Sequence, residues 1–284
     1  EWDYQYAPGT NRLSKVKGVG VTTDRNYTYD LNGNLTSDDY RSLGGIDYAR
    51  ANYPFYITKG SMEIDYLYSV DDQRIYKETQ GVDTTREYYL KKVGILDLES
   101  DNWTWYVSGA DRVAKVTPLN YQQPKNIAGA VSTTLNDTVD ASFYLYDHMG
   151  NTRVVYTPQV QCPIFVEYEI DYVGDYYPYG KSLRQFITGD GPDKFLTTQH
   201  ERDEETGLDY RGARFYDSDV ARFLSLDPLA SNYPSWSDYS YAAGNPVFFT
   251  DATGKAPKPY PKKIMAQEAI EIYRWFLPLL ELDI

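Results

Sequence analysis

Apolar and polar positions alternate with a period of two in short runs, as in Glu87-Tyr88-Tyr89-Leu90 and Trp103-Thr104-Trp105-Tyr106-Val107. A 3.6-residue period is hard to find before residue 260. Such alternation predicts strands with one buried face. Within it one phrase recurs: two tyrosines one residue apart, a turn, then a strand-like continuation. Its clearest copies are Tyr27-Thr-Tyr29-Asp30-Leu31-Asn32-Gly33-Asn34-Leu35 and Tyr144-Leu-Tyr146-Asp147-His148-Met149-Gly150-Asn151-Thr152-Arg153. Weaker copies begin at Tyr4-Gln-Tyr6 and Tyr66-Leu-Tyr68. Residues i and i+2 of a strand share a face, so each tyrosine pair projects two rings to one side, while Gly33 and Gly150 permit the positive φ of a tight turn. Each copy therefore predicts a β-hairpin. The second tyrosines stand at the irregular positions 6, 29, 68 and 146, and the stretch Pro118 to Asp137, rich in Asn, Gln, Thr and Ser, is expected to be a looped insertion. Because one hairpin cannot bury an aromatic face alone, the units are expected to stack into a continuous sheet.

Composition strengthens the all-β expectation: 30 of 284 residues are tyrosine and 16% are aromatic. With 28 basic and 41 acidic residues the formal charge is −13, which argues against nucleic acid or an anionic membrane surface as a partner. No apolar run approaches the roughly 20 residues of a membrane span. One cysteine, Cys162, and two histidines, His148 and His200, leave no basis for an internal disulfide or a nitrogen and sulfur metal site, and no cofactor is expected. The chain opens Glu-Trp-Asp-Tyr, without Met, basic region or apolar stretch, and so reads as a segment of a longer protein with no signal peptide in view.

The phrase Tyr-x-Tyr-Asp-x-x-Gly-Asn resembles the tyrosine-aspartate (YD) repeat of the rearrangement hotspot (Rhs) family. The second half resembles that family's repeat-associated core domain, through Asp175-Tyr-Tyr-Pro-Tyr-Gly180, Glu201 to Asp217, Ala221-Arg-Phe-Leu-Ser-Leu-Asp-Pro-Leu229 and Asn245-Pro-Val-Phe-Phe-Thr-Asp251. The resemblance divides the chain into YD-repeat-like hairpins at 1–143, a core domain at 144–255 and a tail at 256–284. It implies a spiralling β-sheet that forms the end of a shell, closed by an inward-curled plug, with a C-terminal cargo, often a toxin, inside. It also implies a secreted or cell-surface setting, with further YD-repeat segments or a secretion or toxin-complex component as partners.

Many members of the family cut their own chain just after the core domain at an aspartyl-protease-like site. The matching positions are Arg214, Asp227 and Asp251, and the implied cut falls at Lys255-Ala256. Paired carboxylates in a partly dehydrated pocket divide into a protonated acid and an ionised base, and a guanidinium can stabilise the oxyanion of the scissile carbonyl. Such a site acts in cis, without turnover of external substrate. Two departures stand out: Asp227-Pro-Leu-Ala230 lacks the glycine of the usual Asp-Pro-x-Gly motif, and Asp251-Ala-Thr-Gly254 lacks its proline. Read without the family, Asp227 and Asp251 are turn caps neutralised by Arg214. The alternative function is then a non-cleaving structural or cell-surface interaction module.

Other features carry less. Asp147-His148 lacks a nucleophile partner and reads as a solvated turn, and Asp203-Glu204-Glu205 lacks calcium-loop spacing and reads as an exposed hairpin tip. In the tail, three prolines favour an extended linker, followed by a short amphipathic helix with Ile264, Ile270, Tyr273, Phe276 and Leu277 on one face.

Overall fold

The computed structural model describes residues 2–18, 24–90, 93–108, 112–118, 139–162, 165–188 and 193–259. The expected loop between Pro118 and Asp137 and the expected helix at 264–277 lie, but for Pro118 at the end of a strand, outside the described residues.

Sixteen strands, β1 (Trp2–Tyr6) through β16 (Ser182–Ile187), form one antiparallel sheet in which every strand pairs with its neighbours in sequence. Behind it stands a second body, residues 193–259, here called the plug. It contains the short strands β17 (Phe195–Thr197), β18 (His200–Arg202), β19 (Asp209–Tyr210), β20 (Phe215–Asp217) and β21 (Arg222–Phe223), joined in a five-stranded sheet. A two-stranded pair, β22 (Phe249–Thr250) with β23 (Lys258–Pro259), ends the described chain. Among the described residues the only helical turns are three short 3-10 segments, so the all-β reading holds.

The recurring phrase is a turn with a defined hydrogen-bond pattern. In the first clear copy, Asp30 Oδ1 accepts the Asn34 N–H at 2.8 Å and Asp30 Oδ2 accepts the Asn34 side-chain amide at 2.9 Å. Gly33, at φ +84°, returns its N–H to the Asp30 carbonyl. The second copy repeats this bond for bond: Asp147 caps Asn151 through both carboxylate oxygens at 2.9 Å, with Gly150 at φ +81°. The spacing of Asp, Gly and Asn thus satisfies the backbone of a five-residue turn, with glycine where an L side chain would be strained. A further turn of this shape, closed by Gly180 donating to Tyr177 O, joins β15 (Phe165–Tyr176) to β16.

The tyrosine pairs point to the plug side in three of the four copies. Tyr27, Tyr66 and Tyr144 are buried, and Tyr29, Tyr68 and Tyr146 pack against the same clusters. The first copy differs, with Tyr4 and Tyr6 42% and 47% exposed. The main core joins both bodies: Leu13, Ile46, Ile57 and Ile64 of the sheet meet Leu208, Phe215 and Leu224 of the plug. Each such side chain contributes about 1.5–3 kcal/mol by leaving water. At two of these tyrosines the hydroxyl also finds a partner on the other body. Tyr66 donates to Asp203 and Tyr144 to Asp193, both at 2.6 Å.

The expectation that Asp203-Glu204-Glu205 forms an exposed tip is corrected. Only Glu204 is exposed. Asp203 is 1% exposed and accepts from Tyr66 and, at 3.1 Å, from Arg74, while Glu205 takes Lys77 and Thr79. The cations stand on β8 (Arg74–Gln80), on the sheet face that receives the plug. Buried carboxylates require such partners, because an unpaired charge there would be prohibitively desolvated.

Candidate functional site

Arg214 closes the four-residue turn 211–214 between β19 and β20, in which Arg211 N donates to Arg214 O at 3.0 Å. Pressed against this turn is a second one, Asp251 to Gly254, which follows β22. The approach is close enough to exclude any side chain at residue 254. A Cβ on Gly254 would lie 2.7 Å from Arg211 O and 3.0 Å from Arg214 N, at a φ of +66°. Gly254 is therefore required both by its conformation and by backbone contact.

Three successive carbonyl oxygens of the second turn are gripped from outside. Ala252 O accepts from His200 Nε2 at 3.2 Å, Thr253 O from the Ala213 N–H at 3.0 Å, and Gly254 O from Arg214 Nε at 2.6 Å. From inside, Asp251 Oδ1 accepts the N–H groups of Thr253, Lys255 and Ala256 at 3.4, 3.0 and 3.2 Å. The backbone around the expected cut is thus fixed from both sides.

Arg214 brings the sequence-predicted trio together. Its Nη2 reaches Asp227 Oδ2 at 2.9 Å and Asp251 Oδ2 at 3.2 Å, its Nη1 donates to Asp238 O at 2.9 Å, and its guanidinium lies 3.5 Å from the centre of the Phe223 ring. The Arg214 side chain is 1% exposed. Burial pushes its pKa down and the two carboxylates oppose that shift. Asp251 is equally buried, whereas Asp227 retains a solvent edge. Burial raises the Asp227 carboxyl above the ordinary carboxylate range, against the pull of Arg214 and the Leu229 N–H, and Asp251 adds to the rise. Asp227 Oδ1 also caps its own turn, accepting the Leu229 N–H at 2.7 Å, so the turn-cap reading and the site reading describe the same carboxylate.

Beside Asp227 lies a shallow cleft lined by Tyr233, Trp236, Ser237, Asp238 and Pro257. Tyr233 and Trp236 stack there with ring centres 4.8 Å apart. Asp238 and His200 are the two residues at this site that sequence reasoning missed. Asp238 lies outside the matched Asp-Pro-x-Gly motifs, and His200 entered only as one of two histidines too few for a metal site. His148 is exposed on its turn.

No protein-family model matches the chain. Among curated proteins it is 26% identical over 254 residues to salivary gland surface protein 1 of Aedes aegypti, covering 88% of this chain and 6% of that protein. It is 27% identical over 253 residues to the tRNA3(Ser)-specific nuclease WapA of Bacillus spizizenii, covering 86% and 9%. Among solved structures it superposes on a Photorhabdus luminescens Tc holotoxin pore bearing an Asp-to-Ala substitution in TccC3, with TM-score 0.65 and 19% identity over 92% of this chain and 13% of that one. The chain spans under a tenth of the length of these two curated relatives. The sixteen-stranded antiparallel sheet matches the fold of this toxin-complex chain.

Proposed function

We propose that this module closes an Rhs-type β-shell, encloses the segment that follows it, and cuts its own backbone once at the Arg214 site. The observation that carries the reading is the convergence of Asp227, Asp251 and the Gly254 carbonyl on one buried guanidinium, at 2.6–3.2 Å, next to the backbone expected to be cut. In this reading Asp251 and Arg214 hold the strand, and Asp227, at the edge of the cleft, takes a proton from the attacking water. The water oxygen bonds to the scissile carbonyl carbon, the C–N bond breaks, and the proton passes to the leaving amine. Because Asp227 must be ionised to accept that proton, the rate falls as pH drops through its raised pKa.

Of the three amide nitrogens on Asp251, those of Lys255 and Ala256 lie past Gly254, and family position selects the Lys255-Ala256 bond. The cargo is the chain's own C-terminal segment, the partners are other YD-repeat segments or toxin-complex components, and the setting is extracellular. These assignments rest on the family resemblance and on what the relatives are called.

Intact mass of denatured protein, followed over hours at neutral and mildly acidic pH, tests the reading. Cleavage predicts a break next to Lys255, abolished by Asp227→Asn or Asp251→Asn. An Asp238→Asn arm determines whether the second acidic residue lining the cleft shares the proton work. A wild-type chain that stays whole at 32.7 kDa overturns the reading.

One observation favours the non-cleaving module: both oxygens of Asp251 are already occupied, by three N–H groups and Arg214, as in a lock. In that case the same variants lower stability and change no mass.

A further inference from the structure

His200 begins β18, immediately after a two-residue turn whose members, Thr198 and Gln199, both adopt positive φ, at +47° and +60°. Neither is glycine, so the turn carries a conformational cost that surrounding contacts must offset. Those contacts come from the large sheet. Asn151 Oδ1 accepts the Thr198 N–H at 3.1 Å, and Gly150 O accepts the Gln199 N–H at 3.1 Å. The strained tip is therefore seated on the turn of the second clear YD copy.

From that seat one hydrogen-bond chain runs to the candidate site. Arg211 Nη1 donates to Thr198 Oγ1 at 2.8 Å, Thr198 Oγ1 lies 2.9 Å from His200 Nδ1, and His200 Nε2 lies 3.2 Å from Ala252 O. A carbonyl oxygen only accepts, so Nε2 carries the proton, and in the neutral ring Nδ1 is an acceptor facing the Thr198 hydroxyl, whose one proton is shared between Nδ1 and Thr197 O at 2.8 Å. The ring stays neutral because burial pushes its pKa down to about 3, with Arg211 and Arg112 adding to the shift and the Ala252 carbonyl and Asp209 opposing it. The three outside grips on the 251–254 turn are thus Arg214, the Ala213 backbone and His200. Of these, His200 links the turn to the large sheet through the side chain and backbone N–H of Thr198.

We propose that His200 is a positioning residue, which holds the Asp251 turn in register with Arg214 and ties that register to the Gly150–Asn151 corner of the sheet. The inference deepens the self-cleavage reading, but its geometric half stands apart from it. A chain whose plug is not seated on that corner would present the bond poorly.

Two readouts on the full chain test the proposal. The first is hydrogen exchange at the amides of Thr253, Lys255 and Ala256, with β7 (Met62–Tyr68) as a remote control for folding. The second is the rate of self-cleavage by intact mass. His200→Leu, which removes the donor, is expected to lower protection at 253–256 and the cleavage rate by roughly tenfold each while β7 stays protected. His200→Gln retains an N–H donor and is expected to stay within about threefold of wild type. Thr198→Val keeps the shape of the tip without the hydroxyl, and provides a milder test should His200→Leu fail to fold. Unchanged protection and rate in both His200→Leu and Thr198→Val overturn the proposal while the cleavage reading stands. A wild-type chain that never cleaves, with protection lost in His200→Leu, supports the positioning role and overturns the cleavage reading instead.

Discussion

The large sheet and the plug are built on opposite principles. In the sheet each strand bonds to the strand before and after it, and turns such as Asp30 to Asn34 satisfy themselves within five residues. In the plug the strands are two or three residues long, and order comes from buried charges and backbone groups whose partners lie far away in sequence. Arg41 on the sheet holds Asp217 and Asp219 across 176 and 178 residues, and Arg74 holds Asp203 across 129. The sheet thus gains stability from repetition and the plug from particular pairs. Local damage should be tolerated in the first and not in the second.

The sharpest test sets one sheet cation that pairs with the plug against the local pairs of the sheet. Arg74→Ala leaves Glu201 and Asp203 buried without their guanidinium, and is expected to cost about 3–5 kcal/mol in a denaturant titration. Arg86→Ala, which removes two surface ion pairs within the sheet, with Glu78 and Glu99, is expected to change stability by less than about 1 kcal/mol. If the two losses were similar, the contrast would break.

Next comes a pair of glycines, both at positive φ. Gly254→Ala meets backbone at 2.7 Å and is expected to lose at least about 3 kcal/mol together with any self-cleavage, whereas Gly60→Ala, with nothing within 4 Å, is expected to lose only about 1 kcal/mol. Thermal melts of the two variants make the comparison.

A smaller effect lies at the seam. Burial raises the Asp38 carboxyl to about 6, Asp217 adds to the rise, and the N–H groups and charge of Arg41 oppose it. A carboxyl whose folded pKa exceeds its unfolded value penalises folding above that pKa, and the penalty is relieved as pH falls from about 6 towards 4. Asp38→Asn keeps an acceptor for the Tyr40 and Arg41 N–H groups and is expected to gain roughly 2 kcal/mol at pH 7, with the gain vanishing near pH 4. A gain that persists in acid would rule out this cause. The smallest expected change is Tyr27→Phe. The Tyr27 hydroxyl is buried without a hydrogen-bond partner among the described residues, so its removal should be neutral or slightly stabilising in the same melts.

What could be read in the sequence follows the same divide. The hairpins were legible because Tyr-x-Tyr alternation and the Asp-x-x-Gly-Asn turn are complete within ten residues. The trio of Arg214, Asp227 and Asp251 was legible only through family resemblance, since nothing in the spacing of 13 and 37 residues says that these side chains meet. Asp203 was misjudged because its cations arrive from β8, and His200 and Asp238 passed unnoticed because each acts through a single carbonyl oxygen. Local rules leave a trace in composition and period, whereas long-range pairing of single residues leaves none.

The strict pairing of each sheet strand with its sequence neighbour also orders events in time. Strands that bond only to neighbours can assemble in the order of synthesis with little loop-closure cost, whereas the plug must wait for partners more than a hundred residues upstream. Among the described residues the Asp251 turn, gripped by a plug that is itself seated on the sheet, is then expected to form late. Pulse-labelled exchange during refolding should find its amides protected after those of β7. Any bond cut there would be cut only in a chain that has finished folding, which makes the turn a built-in marker of completion.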